Sequence, residues 1–167
     1  MGKIYAVVNG AAPGAAAPVA VTTGTVIKTL LQLSTSANRE ARIVQHWIEF
    51  DGSAAATPIK YELMRHGTVA ATVTAYVAGD VAKVNDPNAV ATQITLGTAN
   101  SGYTASVEGT PATVPVSLET HFVPPTSGIY VQFPLGREPE VAVSTFLRQR
   151  VTAGAAVNAY CGVMWEE

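Results

Sequence analysis

The residue types that most often do chemistry in proteins are few and widely spaced in this chain. The three histidines are His46, His66 and His121, and none has a partner at the short spacing of a metal-binding pair. Pairing of strands within a sheet could still bring two of them together. Serine, histidine and aspartate all occur, but no Gly-x-Ser-x-Gly motif provides a nucleophile elbow. We therefore predict packed or solvent-facing imidazoles rather than metal ligands or catalytic bases.

Glu138 and Glu140 are the acidic pair that most resembles an acid/base constellation, with Arg137 directly before them. As alternate residues of an extended segment they lie side by side on one face. The two carboxyl groups of a glycosidase instead face the sugar from two sides. The pattern favours a solvated turn with a local ion pair or a salt link between subunits. Neither common glycine-rich phosphate loop is present.

Cys161 is the single cysteine, and it lies in an apolar, strand-like run. One cysteine builds neither an intrachain disulfide nor a multi-cysteine zinc site, so a small buried hydrophobic residue is the expected role. Taken together, these residues predict no catalytic, cofactor-binding or metal-binding site. We expect a protein that is not an enzyme.

The aromatic residues offer one alternative, a surface that binds carbohydrate. Tyr76 and Tyr103 fall in the loop-rich middle of the chain, where such a platform could form. The other aromatic residues fall mostly at predicted strand positions, where core or subunit interface is the usual role. These are Trp47, Phe50, Tyr61, Phe122, Tyr130, Phe133, Phe146, Tyr160 and Trp165.

The surface is unusually poor in charge. Charged residues make up 13% of the 167 residues, and the formal net charge is −2. Few charges then interrupt apolar patches, which predicts an oligomer or an assembly component. Ten basic and twelve acidic residues are scattered along the chain, so nucleic acid is not an expected partner. No apolar run approaches the roughly 18 residues of a membrane helix, and a membrane is not an expected partner either.

Alternating apolar and polar residues between turn signals predict about eight β-strands and no long helix. In the run 59–64, Ile59, Tyr61 and Leu63 are expected inward, with Lys60 and Glu62 outward. In the run 42–50, Val44, Ile48 and Phe50 share one face, and Ile43 and Trp47 share the other. Eight strands with long connections fit an all-β, antiparallel two-sheet sandwich of jelly-roll type. The remaining strand-like runs are 25–33, 117–123, 129–135, 141–151 and 157–165.

The N-terminal residues are predicted to form an extended arm, residues 1–23, before a single sandwich domain, residues 24–167. Residues 9–23 combine small side chains with two prolines and two glycines, which interrupt a helix and loosen the backbone. Such a segment is either a flexible tether or an arm that lies along a neighbouring subunit.

Four segments carry a resemblance to known proteins: 47–52 (Trp-Ile-Glu-Phe-Asp-Gly), 121–128, 132–141 and 150–158. They resemble a group of small virion proteins of tailed bacteriophages, which pair a short N-terminal arm with a jelly-roll body. The resemblance covers about residues 25–167 and rests on strand and turn residues.

This resemblance implies a decoration or cement protein that sits as a homotrimer on the outside of the capsid. The expected partner is the major capsid protein, and the expected location is the virion after synthesis in the bacterial cytoplasm. Trp47 and Trp165 are the candidate anchors of the trimer. The alternative function is a tail-tip or head-fibre module that recognises a host-surface glycan through loops between Gly67 and Pro115.

Overall fold

Two antiparallel β-sheets pack face to face in this protein, as the computed structural model shows for residues 2–12, 20–53, 56–110 and 115–167. The strands in chain order are β1 (Ile4–Val8), β2 (Val21–Thr22), β3 (Lys28–Ser34), β4 (Ala41–Asp51), β5 (Ile59–Arg65), β6 (Thr72–Ala75), β7 (Ala82–Lys83), β8 (Gly102–Val107), β9 (Val116–Val123), β10 (Gly128–Gln132), β11 (Glu140–Val141), β12 (Phe146–Thr152) and β13 (Asn158–Glu166).

The first sheet has the strand order β10-β4-β13-β1-β7, with β2 beside β13 and β11 beside β4. The second sheet has the order β6-β8-β3-β12-β5-β9. The predicted antiparallel sandwich is confirmed, whereas jelly-roll connectivity stays a prediction. In the part of the chain described, the helical structure is one 3-10 turn, Ala78–Asp80. None of it is a helix of a length and apolarity that would cross a membrane.

Strand β13 lies between β4 and β1 in the first sheet, and its side chains alternate as predicted. The odd-numbered residues from Ala159 to Trp165 are completely buried, because a strand presents every second side chain to the core. Strand β5 of the second sheet buries Ile59, Tyr61 and Leu63 in the same way. Other large core residues are Tyr5, Val7, Leu30, Leu31, Leu33, Ile43, Ile48, Leu147, Val151 and Val163.

Strand β4 departs from the predicted alternation. Ile43 lies in the core together with Ile48 and Phe50, although the sequence places Ile43 on the opposite face with Trp47. The cause is a β-bulge, because Val44 has no partner in β13 where the register between the two strands shifts. One extra residue reverses the alternation beyond it.

Glu62 on strand β5 is buried, although the sequence predicts it on the solvent side. It does lie on the outer face of the second sheet, opposite Arg150 of β12. Its carboxylate binds Lys60 Nζ at 2.8 Å and Arg150 Nε at 2.9 Å, and the residue is 4% exposed. Burial alone would raise the pKa of Glu62, but the two cations outweigh it and lower the pKa. The two ion pairs offset the free-energy cost of burying the Glu62 carboxylate.

The chain before residue 24 is part of the sandwich where the structure describes it. Strand β1 pairs with β13 along its full length, and Tyr5 and Val7 are buried in the core. Strand β2 also pairs with β13. An arm over residues 1–23 is therefore wrong for residues 4–8 and 21–22, and residues 13–19 lie outside the described part. Burying the apolar side chains of Ile4–Val8 in a sheet removes them from water, which stabilises the fold.

Candidate functional site

Two long strands form one side of the sandwich, and each is the last strand of its sheet. Strand β9 ends the second sheet and β10 ends the first, with eight and five residues respectively. We call this the β9–β10 side. The opposite side ends in β6 and β7, which have four and two residues. Short edge strands expose few unpaired backbone N–H and C=O groups, so the side that ends in β6 and β7 offers a partner strand fewer of these groups than the β9–β10 side does.

The side chains of the β9–β10 side are mostly neutral and partly apolar. Glu119 and His121 are the acidic and basic residues of these two strands, and neither strand contains lysine or proline. Val116 is 50% exposed and Phe122 is 72% exposed. Natural proteins protect edge strands with lysine, proline, β-bulges or inward-pointing charges. Strand β9 has a β-bulge at Leu118 and the inward carboxylate of Glu119, so its exposed side chains rather than its backbone edge are what it offers a partner.

Behind this side lies a polar cluster that joins the two sheets. Nε2 of His46, on the first sheet, lies 3.1 Å from Oε2 of Glu119 on the second sheet. Nε2 of His121 lies 3.0 Å from the same oxygen. Nδ1 of His46 lies 2.9 Å from the hydroxyl of Tyr61, and the ring of Phe133 packs against the His46 ring at 5.6 Å. Sheet packing thus brings two of the three histidines together.

The hydrogen bonds of this cluster define the neutral form of His46. Burial raises the pKa of Tyr61 well above its usual value, so the hydroxyl keeps its proton and donates a hydrogen bond to Nδ1 of His46. Nε2–H of His46 then donates to Glu119, because an unprotonated Nε2 would repel the carboxylate oxygen. Burial is the largest effect on the pKa of His46 and lowers it, although Glu119 opposes the shift. The cluster therefore positions β9 through hydrogen bonds from imidazole groups to the Glu119 carboxylate.

No metal site follows from this arrangement. Within residues 2–12, 20–53, 56–110 and 115–167, no three His, Cys, Asp or Glu side chains surround a point where a metal ion would fit. Both imidazoles instead meet one oxygen of Glu119. The contacts are those of a structural link between two sheets.

His66 belongs to a second buried cluster, on the outer face of the second sheet. Its Nε2 lies 3.5 Å from Nη1 of Arg148, which is 1% exposed. The guanidinium donates from Nε to Oε1 of Gln32 at 2.8 Å and from Nη1 to the Glu108 carbonyl at 2.8 Å. Nη2 donates to the Val69 carbonyl at 2.5 Å. Arg148 thus fastens the loops around residues 69 and 108 to the sheet.

The acidic pair Glu138 and Glu140 makes local contacts. Oε2 of Glu138 accepts a hydrogen bond from the Gly136 N–H at 2.7 Å and stabilises a turn. Oε1 of Glu140 pairs with Nε of Arg42 at 3.1 Å, and both side chains are about half exposed. Glu138 therefore belongs to a solvated turn as predicted, but the predicted local ion pair is replaced by a pair between Glu140 and Arg42 of strand β4.

Cys161 is buried within β13, as predicted, and its thiol is free. Burial raises the pKa of the Cys161 thiol far above its usual range. A thiol in that state is a poor nucleophile.

The two loop tyrosines do not form an exposed platform. Tyr76 is 2% exposed, and its hydroxyl donates to the Val8 carbonyl. Tyr103 is half-buried against it, with ring centroids 5.4 Å apart. Both tyrosines pack on the core because β6 and β8 pair and direct them inward. A glycan site built on these two residues is therefore wrong.

The two tryptophans differ in position. Trp165 is completely buried, stacks on Tyr5 at 5.9 Å and donates from Nε1 to Glu167 Oε1 at 2.9 Å. It is not available as an anchor between subunits. Trp47 lies on the outer face of the first sheet beside Tyr130, with ring centroids 6.4 Å apart.

The sequence reasoning missed Glu119 and Arg148 as organising residues. Glu119 sits in a run that reads as an ordinary edge strand, and its contact with His46 crosses from one sheet to the other. Arg148 lies on the outer face of the second sheet, and nothing in its sequence surroundings marks it. For Glu119, the available signal was an inward charge on a strand of otherwise alternating residues. It marks a residue that needs a buried partner.

Comparisons with known proteins give no family for this chain. No family model matches it, no curated protein matches it, and no solved structure matches it. The sandwich and its β9–β10 side are therefore the basis on which a function is assigned.

Proposed function

We propose that this chain is a structural virion protein that binds the outside of a tailed-bacteriophage capsid as a homotrimer and bridges coat subunits. The observation that carries the proposal is the β9–β10 side, with its exposed apolar residues and its single acidic and single basic side chain. Protein surfaces of this kind are covered by other subunits rather than by water. The low overall charge, 13% of residues, supports the same conclusion.

The proposed trimer places β9 of each copy next to the threefold axis. Phe122, 72% exposed on the outer face of the second sheet, then meets its two symmetry mates. The His46–Glu119 cluster holds β9 rigidly from behind, which lowers the entropy lost on association. Many weak, neutral contacts with the major capsid protein, repeated over the shell, give avidity without one strong interface.

Phe122→Lys is expected to convert the trimer to a monomer, because three ammonium groups would meet near the axis. Light scattering on a sizing column should show a fall from about three times the chain mass of 17.3 kDa to that mass. Val77→Lys is the matched control, since Val77 is 64% exposed at the opposite side of the sandwich. A trimer that survives Phe122→Lys would contradict this axis, and a monomeric parent protein would contradict the proposed function.

Copy number in purified virions tests the location. Quantitative mass spectrometry should find hundreds of copies per particle, as a decoration protein requires. A handful of copies would instead favour the alternative, a tail-tip or head-fibre receptor-binding module.

A further inference from the structure

The outer face of the first sheet carries an aromatic surface with polar groups around it. Tyr130 of β10, Trp47 of β4 and Gly162 of β13 lie in one row across three neighbouring strands. The Trp47 and Tyr130 rings are inclined by only 25°, with centroids 6.4 Å apart. Tyr130 is 66% exposed and Trp47 is half-buried. The two rings therefore lie next to each other as a partly exposed aromatic pair.

Gly162 holds the indole of Trp47 in this position. A Cβ atom at residue 162 would lie 2.2–2.7 Å from Cζ2, Cη2 and Cε2 of Trp47. The indole therefore lies across the backbone of β13 and does not stand away from the sheet. A glycine within a central strand often marks such a close approach.

Free hydrogen-bonding groups surround the two rings. The side chains of Glu49, Gln132, Tyr130 and Tyr160 make no hydrogen bond or ion pair with any described residue. Glu49 lies opposite Tyr160 on β13, and Gln132 ends β10. The surface thus offers a carboxylate, an amide and two hydroxyl groups beside an apolar surface.

A shallow cavity adjoins these groups, with a volume of about 360 Å³. This is near the lower end of the range for small-ligand sites, about 300–1,000 Å³. Its lining residues are Glu49, Phe50, Thr126, Ser127, Gly128, Ile129 and Tyr130.

We infer that this surface binds a short saccharide, with one sugar ring stacked on Trp47 and Tyr130 and its hydroxyl groups bonded to Glu49 and Gln132. A pyranose ring has an apolar C–H face and a rim of hydroxyl groups, which match the rings and the polar groups around them. A purely apolar protein partner would leave the carboxylate of Glu49 buried and unpaired, at a high cost. Trp47 and Tyr130 lie on the outer face of the first sheet and Phe122 on the outer face of the second, so this surface stays open in a trimer whose subunits meet through β9.

The test is a glycan array with bacterial lipopolysaccharide O-antigens and peptidoglycan fragments as probes, followed by titration of any glycan that binds. Trp47→Ala and Tyr130→Ala are each expected to weaken binding at least tenfold. Gly162→Ala should also weaken it, because the added methyl group displaces the indole while both rings remain. Val77→Ala, at an exposed apolar residue on the opposite side of the sandwich, is the control and should bind normally.

Circular dichroism and the thermal midpoint of each variant show whether it folds, and Tyr130→Ala removes only an exposed side chain. The absence of any bound glycan on the array would overturn the inference, as would binding that Tyr130→Ala leaves unchanged. The trimer mass is measured separately on the same variants, so the failure of this site and the failure of the proposed function are distinguishable.

Discussion

Arg148→Ala is expected to lower the free energy of unfolding by about 3–5 kcal/mol, as is typical when one member of a buried charged cluster is removed. The variant leaves a cavity and removes a donor from three acceptors: Oε1 of Gln32, which keeps its bond from the Ala71 N–H at 2.9 Å, and the carbonyl groups of Val69 and Glu108. Burial lowers the pKa of Arg148 to about 10, so the guanidinium is still charged at neutral pH. Urea unfolding at pH 7 measures the loss.

Arg42→Ala is the control for this variant. Arg42 pairs with Glu140 at the surface, where the two side chains are 56% and 52% exposed. Exposed pairs contribute about 0–1 kcal/mol, so the loss should be small. Both proteins should be compared at one protomer concentration, because association adds to apparent stability. Equal losses in the two variants would show that Arg148 does not fasten the loops.

The second large effect is a loss of stability in acid through His66. Burial is the main cause that lowers the pKa of His66 to about 4, and the charge of Arg148 acts in the same direction. Between pH 6.5 and about 4, the unfolded chain therefore binds a proton that the folded protein does not. The free energy of unfolding should fall as the pH falls through this window, by about 3 kcal/mol from this residue.

Urea unfolding at pH 7, 5.5 and 4.5 measures this slope, and His66→Gln should remove most of it. His46 contributes in the same direction, because its pKa is also lowered, and its share should remain in the variant. An unchanged slope in His66→Gln would mean that the imidazole is not buried next to Arg148 in solution.

The sequence predicted correctly those strands in which successive side chains alternate between the two faces of the sheet without interruption. Strands β5 and β13 keep that alternation, so the buried faces of Tyr61 and Val163 could be identified from residue type alone. The buried face of strand β4 could not be predicted in this way. Val44 is an extra residue in that strand, and the resulting bulge depends on how β4 pairs with β13. The N-terminal strand was missed because Ile4–Val8 is short and precedes a segment rich in small residues and proline.

The residues of the candidate sites could not be grouped from the sequence, because their contacts form only in the folded chain. His46 and Glu119 are far apart in the sequence and belong to different sheets, so no spacing rule connects them. The opposite error concerns Tyr76, whose loop-like surroundings indicated exposure although its ring packs on the core. Trp47 and Tyr130 carried no local signal of exposure, because the face of a strand residue depends on register.

The central claim is that strand β9, with Phe122, is covered by copies of the same chain. Multi-angle light scattering of the parent protein over a wide range of dilution tests it most directly. The account predicts a constant mass of about three times 17.3 kDa. A mass equal to one chain at every concentration would contradict it.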